Sequence, residues 1–530
     1  MGNGKYYEIY NLKFMKNTLL TLLFLIFCAV FLALGIRGIV GNPTSDRIND
    51  AVWKDEGPFE LSPERGRFAL TFSIIENSSV YFPVPIARFA TPDLGFKDGN
   101  YVSLFAPGVS FVIIPGYLIG KIFSIAQVGT FAVISLFALF NAFLIRSIAI
   151  RLKASPVAAT IAALVFLFAT PAFAYAVSLF QHHISTFLIL LSIYIYVRFS
   201  SIWWLGIIWF LIALSVPIDY PNLVLMAPIG FFALGRLLLI EKGKTVFNLK
   251  IKLVGFLTLL TVIFPLSFFI WFNSVSYGNP LQLSGTIPTV KAIDEQGLPT
   301  APKEVGTQSI ESLTNPQQQD KSAVRFFKTR NLLNGFFTHF ISFDRGIIYF
   351  TPVILFGLLG ITLLGKINYR FLALFLSITG FNVLLYSMWG DPWGGWAFGS
   401  RYLIPSYAIL SILLAFALTI YKKNILFLLF FFVVLAYSIS VNTLGAITTS
   451  RNPPQVEILA LEKLSGKVEK YTYFRNLDIL DDNRLKSFVF ESIAKNYISA
   501  WQYYIFIVGS IAGVNLWLLI YLKFLKGEKV

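Results

Sequence analysis

The chain has 530 residues, of which 56% are hydrophobic and 13% charged, and its formal net charge is +16. A soluble domain carries roughly 45–50% apolar and about 25% charged residues, so a single soluble core is excluded and a membrane protein is expected. The basic residues fall in small groups between apolar runs rather than along one face, which fits the flanks of membrane helices and speaks against a nucleic-acid partner.

The first apolar run is Phe14–Ile36. It is longer than the core of a signal peptide and no small-x-small cleavage site follows, so it reads as a retained span. Cys28, the only cysteine, lies inside it, which rules out an intrachain disulfide or a cysteine metal cluster. A polar loop at about 37–103 follows, rich in acids: Asp46, Asp50, Asp55, Glu56, Glu60, Glu64, Asp93 and Asp98. Within it, Ser62-Pro63-Glu64-Arg65-Gly66-Arg67-Phe68 opens a helix-like run from Arg67 to Glu76, with Ser62 as N-cap and Pro63 at the first helical position. Glu64 then sits in the first turn, where the helix dipole favours an ionised carboxylate. It is either a capping glutamate on a solvated helix or an acid of a site.

Residues 104–123 are apolar but contain Pro107, Gly108, Pro115, Gly116 and Gly120. If this stretch crossed the bilayer, the short basic loops after it would face out while the N-terminus stayed in. If it does not, Arg146, Arg151, Lys153, Arg198, Arg236, Lys366, Arg370, Lys422 and Lys423 share one side with Lys5, Lys13 and Lys16. The positive-inside rule selects the second arrangement, with 104–123 lying in or dipping into the outer leaflet. Both termini are then cytoplasmic.

Further runs near twenty apolar residues, the length that crosses a bilayer as a helix, lie at about 125–147, 156–173, 184–200, 202–217, 222–240, 250–272, 346–365, 371–388, 402–421, 424–443 and 503–522. The expected fold is an all-α polytopic bundle of about 12 transmembrane helices. Residues 1–443 form the main domain, with outer loops 37–124 and 273–345; 444–502 is an outer segment with helix-like periodicity from Phe488 to Trp501; 503–530 is a last span with a basic tail. The polar stretch Ser284–Lys321 reads as flexible.

Three more clusters fall on the outer side with the acidic loop. Phe180-Gln181-His182-His183 precedes a span. Adjacent helical residues point about 100° apart, so the two histidines do not chelate one metal; one faces a site, or both cap an interface. Ser342-Phe343-Asp344-Arg345-Gly346 places an arginine suited to a phosphate, or to a surface charge pair. The loop Trp389-Gly390-Asp391-Pro392-Trp393-Gly394-Gly395-Trp396-Ala397-Phe398-Gly399-Ser400-Arg401-Tyr402 combines glycines that allow close approach, indoles that offer flat faces to sugars or lipid, and a second candidate phosphate ligand in Arg401. No metal-ligand spacing is visible. Asp219-Tyr220-Pro221 falls near a span end.

Several of these elements resemble the GT-C superfamily of membrane glycosyltransferases, which includes protein O-mannosyltransferases and lipid A aminoarabinose transferases. Glu64-Arg65-Gly66-Arg67-Phe68 resembles that family's acidic-x-x-Arg-aromatic element, and Tyr101 to Gly116, with Phe105-Ala106-Pro107-Gly108, its segment before a juxtamembrane helix. Trp393-Gly394-Gly395-Trp396 through Gly399-Ser400-Arg401-Tyr402-Leu403 resembles a late Trp-Gly-Gly…Gly-x-Arg-Tyr-Leu loop, and Asp344-Arg345-Gly346 an Arg-Gly-aliphatic element. The likeness runs along about 100–405. It departs at Phe105, where many relatives have a basic residue, and at His182 and His183, where several have an acid.

The resemblance implies transfer of a sugar from a polyprenyl-phosphate-linked donor to a glycan, lipid or protein hydroxyl at the outer face, in contact with membrane lipid. Glu64 would be the catalytic base, with Asp55 and Asp93 as the other candidates. Arg345 and Arg401 would bind the donor phosphate, and Arg67, Tyr101, His182, His183, Trp393, Trp396 and Tyr402 would line the substrate site. No cofactor is obligatory, although a divalent metal is compatible. The rival reading is a transporter or flippase for a lipid-linked saccharide, which needs charged or broken midplane positions; the runs contain few.

Overall fold

A computed structural model describes residues 2–242, 247–300 and 327–525. Among them seven helices are long and apolar enough to cross a membrane: Asn17–Gly35, Ala126–Arg151, Leu253–Tyr277, Tyr369–Ser387, Arg401–Tyr421, Ile425–Ile447 and Ala500–Phe524. Shorter apolar helices, Pro156–Phe168, His182–Arg198, Ile202–Ile218, Asn222–Leu234 and Pro352–Ile367, occupy the remaining expected runs. The chain is an integral membrane protein.

The bundle is organised around Arg401–Tyr421, whose apolar stretch is 94% buried. The tight 3-10 segment Pro352–Gly360 packs along it. Gly360 makes this approach possible, because a Cβ there would lie 1.9 Å from the Leu413 carbonyl oxygen. A second glycine contact holds the 104–123 region. That stretch folds as two short helices, Gly108–Val112 and Ile114–Ile122, neither long enough to cross alone. Gly116 meets Gly129 on Ala126–Arg151 so closely that a Cβ on either would strike the other's carbonyl at 2.2 or 2.0 Å. Leu118, Ile119, Ile122 and Phe123 remain exposed on the opposite side, the apolar face such a helix offers to lipid.

Several expected elements differ in detail. The helix of the first loop runs Ser62–Glu76, and its N-cap is Leu61 rather than Ser62. Glu64 at the third position accepts from the Leu61 N–H, and the Ser62 hydroxyl donates instead to Asp93. The run at 222–240 is helical only to Leu234; Leu238–Lys242 pairs with Phe247–Ile251 as an antiparallel hairpin. The run at 156–173 breaks after Phe168 and resumes at Ala172–Ala176, with Pro171 at the junction.

Part of the polar stretch expected to be flexible is folded: Thr289–Val290 adds a third strand to the hairpin Leu94–Lys97/Asn100–Ser103, and Ala292–Ile293 pairs with Pro299–Thr300. The rest of that stretch, 301–321, lies outside the described residues. The periodic segment from Phe488 to Trp501 is not one helix. It forms Phe488–Ser492, breaks at Ile493 (φ −132°, ψ −60°), and restarts at Ala500, where Ser499 and Gln502 form a capping box.

Candidate functional site

The acidic loop, the 179–182 turn and the late tryptophan-glycine loop meet at one end of the bundle. The Ser62–Glu76 helix places Glu64 and Arg67 one turn apart on the same side. Both reach the turn before His182–Arg198: Glu64 Oε1 accepts from the Leu179 N–H at 3.0 Å, and Arg67 Nη2 donates to Gln181 Oε1 at 2.7 Å. Arg67 Nη1 reaches the Leu179 and Pro63 carbonyls, each at 3.3 Å. Gln181 passes the contact on, its Nε2 donating to Asp219 Oδ2 at 3.0 Å. Asp219 follows the Leu205–Ile218 helix and is half-buried, and among the described residues its other oxygen accepts no hydrogen bond.

Phe180 joins the two halves of the site. The Arg67 guanidinium lies 5.4 Å from its ring centre and that of Arg401 lies 4.7 Å away. His182 stacks on the same ring at 5.8 Å with a 10° interplanar angle, and meets Tyr402 edge-on at 6.2 Å. Arg67 also lies 4.9 Å over Phe105. Tyr402 is held flat against Tyr386 at 4.3 Å.

The polar accounting around Phe180 is incomplete. Arg401 Nη2 donates to the Gly394 carbonyl at 2.7 Å, while its Nε and Nη1, Arg67 Nε and His182 Nε2 are buried with no hydrogen-bond partner among the described residues. Buried polar groups are normally paired, and an unpaired buried donor costs about 1–3 kcal/mol. Three guanidinium nitrogens and one imidazole nitrogen, on side chains that all touch Phe180, are thus left without a partner among the described residues. Burial pulls the Arg67 guanidinium down to about 10, against the opposing field of Asp219. Burial also pushes the Asp219 carboxyl up, opposed by Gln181, Arg67 and Arg401.

The other expected site residues are placed differently. Arg345 is 1% exposed, and its donors are spent on backbone carbonyls: Trp393 at 3.1 Å, Asp344 at 2.8 Å, and Gly395 and Asn452 at 3.0 Å each. It clamps the tryptophan-glycine loop to the 452 turn. Trp393 enters that clamp through its carbonyl, and Trp396 donates its indole N–H to Glu457 at 2.7 Å, with Arg451 and Arg475 near its ring at 5.0 and 5.4 Å.

His183 points into the bundle, bonded to the Ala172 carbonyl at 2.7 Å and to Asn141. Tyr101 ties the outer hairpin to the Gly297 carbonyl at 2.8 Å. Asp55 is exposed, and Asp93 is half-buried with the Ser62 hydroxyl at 2.6 Å. Glu64 is fully buried with both oxygens on backbone N–H groups, and burial first, then the neighbouring Glu60, pushes its carboxyl up while Arg37 opposes.

Asp219 and Gln181 are the site members that sequence reasoning passed over. The available signal was an acid at the edge of an apolar run, where burial is costly unless paired. Among the described residues no group of three His, Cys, Asp or Glu converges as a metal site.

No protein-family profile matches the chain, and no curated protein does. Among solved structures it is similar to ArnT from Cupriavidus metallidurans in the apo state, at 13% identity and TM-score 0.43, over 94% of this chain and 77% of that one. It is also similar to ArnT from the same organism bound to undecaprenyl phosphate, at 13% identity and TM-score 0.38, over 93% and 77%. At these scores neither structure assigns a role to a residue of this chain.

Proposed function

We propose that this protein is a membrane glycosyltransferase that moves a sugar from a polyprenyl-phosphate donor to a hydroxyl acceptor at the non-cytoplasmic face. The observation that carries the reading is the set of unpartnered nitrogens on Arg401, Arg67 and His182 around Phe180, beside the half-buried Asp219. A phosphate between the two guanidiniums would receive charge-assisted hydrogen bonds, stronger than neutral ones.

In the reaction, the acceptor oxygen bonds to the anomeric carbon as that carbon's bond to the phosphate oxygen breaks. The lipid phosphate leaves with the electron pair and gains negative charge, which Arg401 and Arg67 offset. The acceptor proton passes to a carboxylate. Asp219 has an oxygen without a hydrogen bond, whereas both oxygens of Glu64 are held by the backbone; Asp219 is therefore the base, and Glu64 positions the 179–182 turn. Arg345 acts one step back, holding the loop that carries the Gly394 partner of Arg401.

The orientation follows from charge. Arg151, Lys153, Lys366, Arg370, Lys422 and Lys423 sit at helix ends opposite the arginine pocket, so the positive-inside rule sends the pocket outward and both termini to the cytoplasm. The five shorter apolar helices complete the crossings.

The test is reconstitution in liposomes with a polyprenyl-phosphate sugar and a cell-envelope extract as acceptor. A new glycosidic bond formed with stoichiometric release of polyprenyl phosphate is expected. Vectorial movement of the intact donor with no bond formed would overturn the assignment in favour of transport.

A further inference from the structure

At the end of the bundle remote from Phe180, a cavity of about 640 Å³ opens between helix ends, lined by Ile150, Arg151, Leu152, Lys153, Val197, Ile367, Asn368 and Phe371. Its chemistry is two-sided. Ile150, Leu152, Val197, Ile367 and Phe371 give an apolar wall, and Arg151 and Lys153 stand exposed at the rim with no Asp or Glu among the lining residues.

Lys153 is held there by an unusual backbone. Ala126–Arg151 ends with Lys153 N–H bonded to the Ile150 carbonyl at 3.0 Å and Ala154 N–H to the Ala149 carbonyl at 2.9 Å. Lys153 itself takes φ +81°, the left-handed position after a helix that is usually glycine because a Cβ is disfavoured. A lysine is thus kept where the backbone alone would favour glycine. Among the described residues its ammonium has no carboxylate partner, and Arg151 finds only the Arg198 carbonyl at 3.3 Å.

We infer that this cavity binds an anionic phospholipid from the leaflet at that end. The headgroup phosphate lies against Arg151 and Lys153, and the acyl chains lie along Val197, Ile367 and Phe371. Basic pockets between membrane helices suit such headgroups, and the apolar wall favours a lipid over a free anion. The inference does not depend on the reaction catalysed at the other end.

The backbone supplies a clean test. Lys153→Gly removes the charge while relieving the left-handed strain, so this variant is expected to unfold at the same temperature as the parent or higher. The full-length protein, purified from membranes, is incubated with phosphatidylglycerol or phosphatidylethanolamine, and retained lipid is counted by native mass spectrometry. The parent should retain phosphatidylglycerol preferentially, with affinity falling about fivefold in Lys153→Gly and again about fivefold in Arg151→Gln/Lys153→Gly. Lys422→Gln/Lys423→Gln, at another basic helix end, should bind as the parent does. Equal loss in that control, or no loss in Lys153→Gly, would overturn the site. Displacement of the lipid by millimolar inorganic phosphate would overturn a lipid as its occupant.

Discussion

Two arginines, the buried Arg345 and the half-buried Arg401, look alike in sequence, each beside a glycine-bearing turn at the head of an apolar run. Arg345 donates to four backbone carbonyls, while Arg401 donates to one and leaves Nε and Nη1 with no acceptor. A guanidinium surrounded by carbonyls is part of the fold. One left short of acceptors, with a second cation against the same phenylalanine, carries a cost that folding does not explain and that an anion would remove. On the proposed function, the difference separates a residue that shapes the site from one that meets the substrate.

The largest expected effect tests the open side of this comparison. Asp219→Asn should lower the rate of transfer by about 10²–10⁴, the range for losing a general base, with the Gln181 contact retained and the unfolding temperature little changed. Arg401→Gln comes next, with a loss of about 10²–10³ in transfer. Its stability should stay level or rise, because a buried charge with unsatisfied donors is removed. Loss of folded protein in Arg401→Gln, measured by heat-induced aggregation, would place Arg401 in the same class as Arg345.

Arg345→Gln probes the saturated side. It strips partners from the carbonyls of Trp393, Asp344, Gly395 and Asn452, and each buried group left unpaired costs about 1–3 kcal/mol. A stability loss of roughly 3 kcal/mol or more is expected, with activity falling in step with the amount of folded protein. Full stability combined with lost transfer would return Arg345 to the substrate.

Each apolar run read from the sequence falls on a helical segment, because hydropathy reports burial in lipid directly. His182 and Arg401 were also readable as polar or charged residues at the edges of such runs, and Arg67 through its resemblance to an acidic-x-x-Arg-aromatic element; all three gather around Phe180. Asp219 was readable only as an acid at the edge of an apolar run: its partner Gln181 is 38 residues away, and Arg67, which bonds that glutamine, sits on the first loop. The clamp at Arg345 was invisible for another reason. Its partners are carbonyls, which every residue carries, so no residue type announces them. The periodicity from Phe488 to Trp501 misled because it spans two helices whose join at Ile493 has no glycine or proline to mark it.

Glu64 is where the two readings of the site diverge most, and it carries the smallest expected effect. As a positioning residue, it joins the Leu61 and Leu179 N–H groups through its two oxygens. Glu64→Gln keeps one acceptor oxygen and turns an amide toward the other N–H, which costs about 1–3 kcal/mol. The 179–182 turn would loosen, and with it the Arg67–Gln181–Asp219 chain, so transfer should fall less than tenfold while the unfolding temperature drops. A catalytic base would give the opposite pattern: loss of about 10²–10⁴ in transfer with stability unchanged. Measuring both quantities on this one variant, with Asp219→Asn beside it, decides which carboxylate takes the proton.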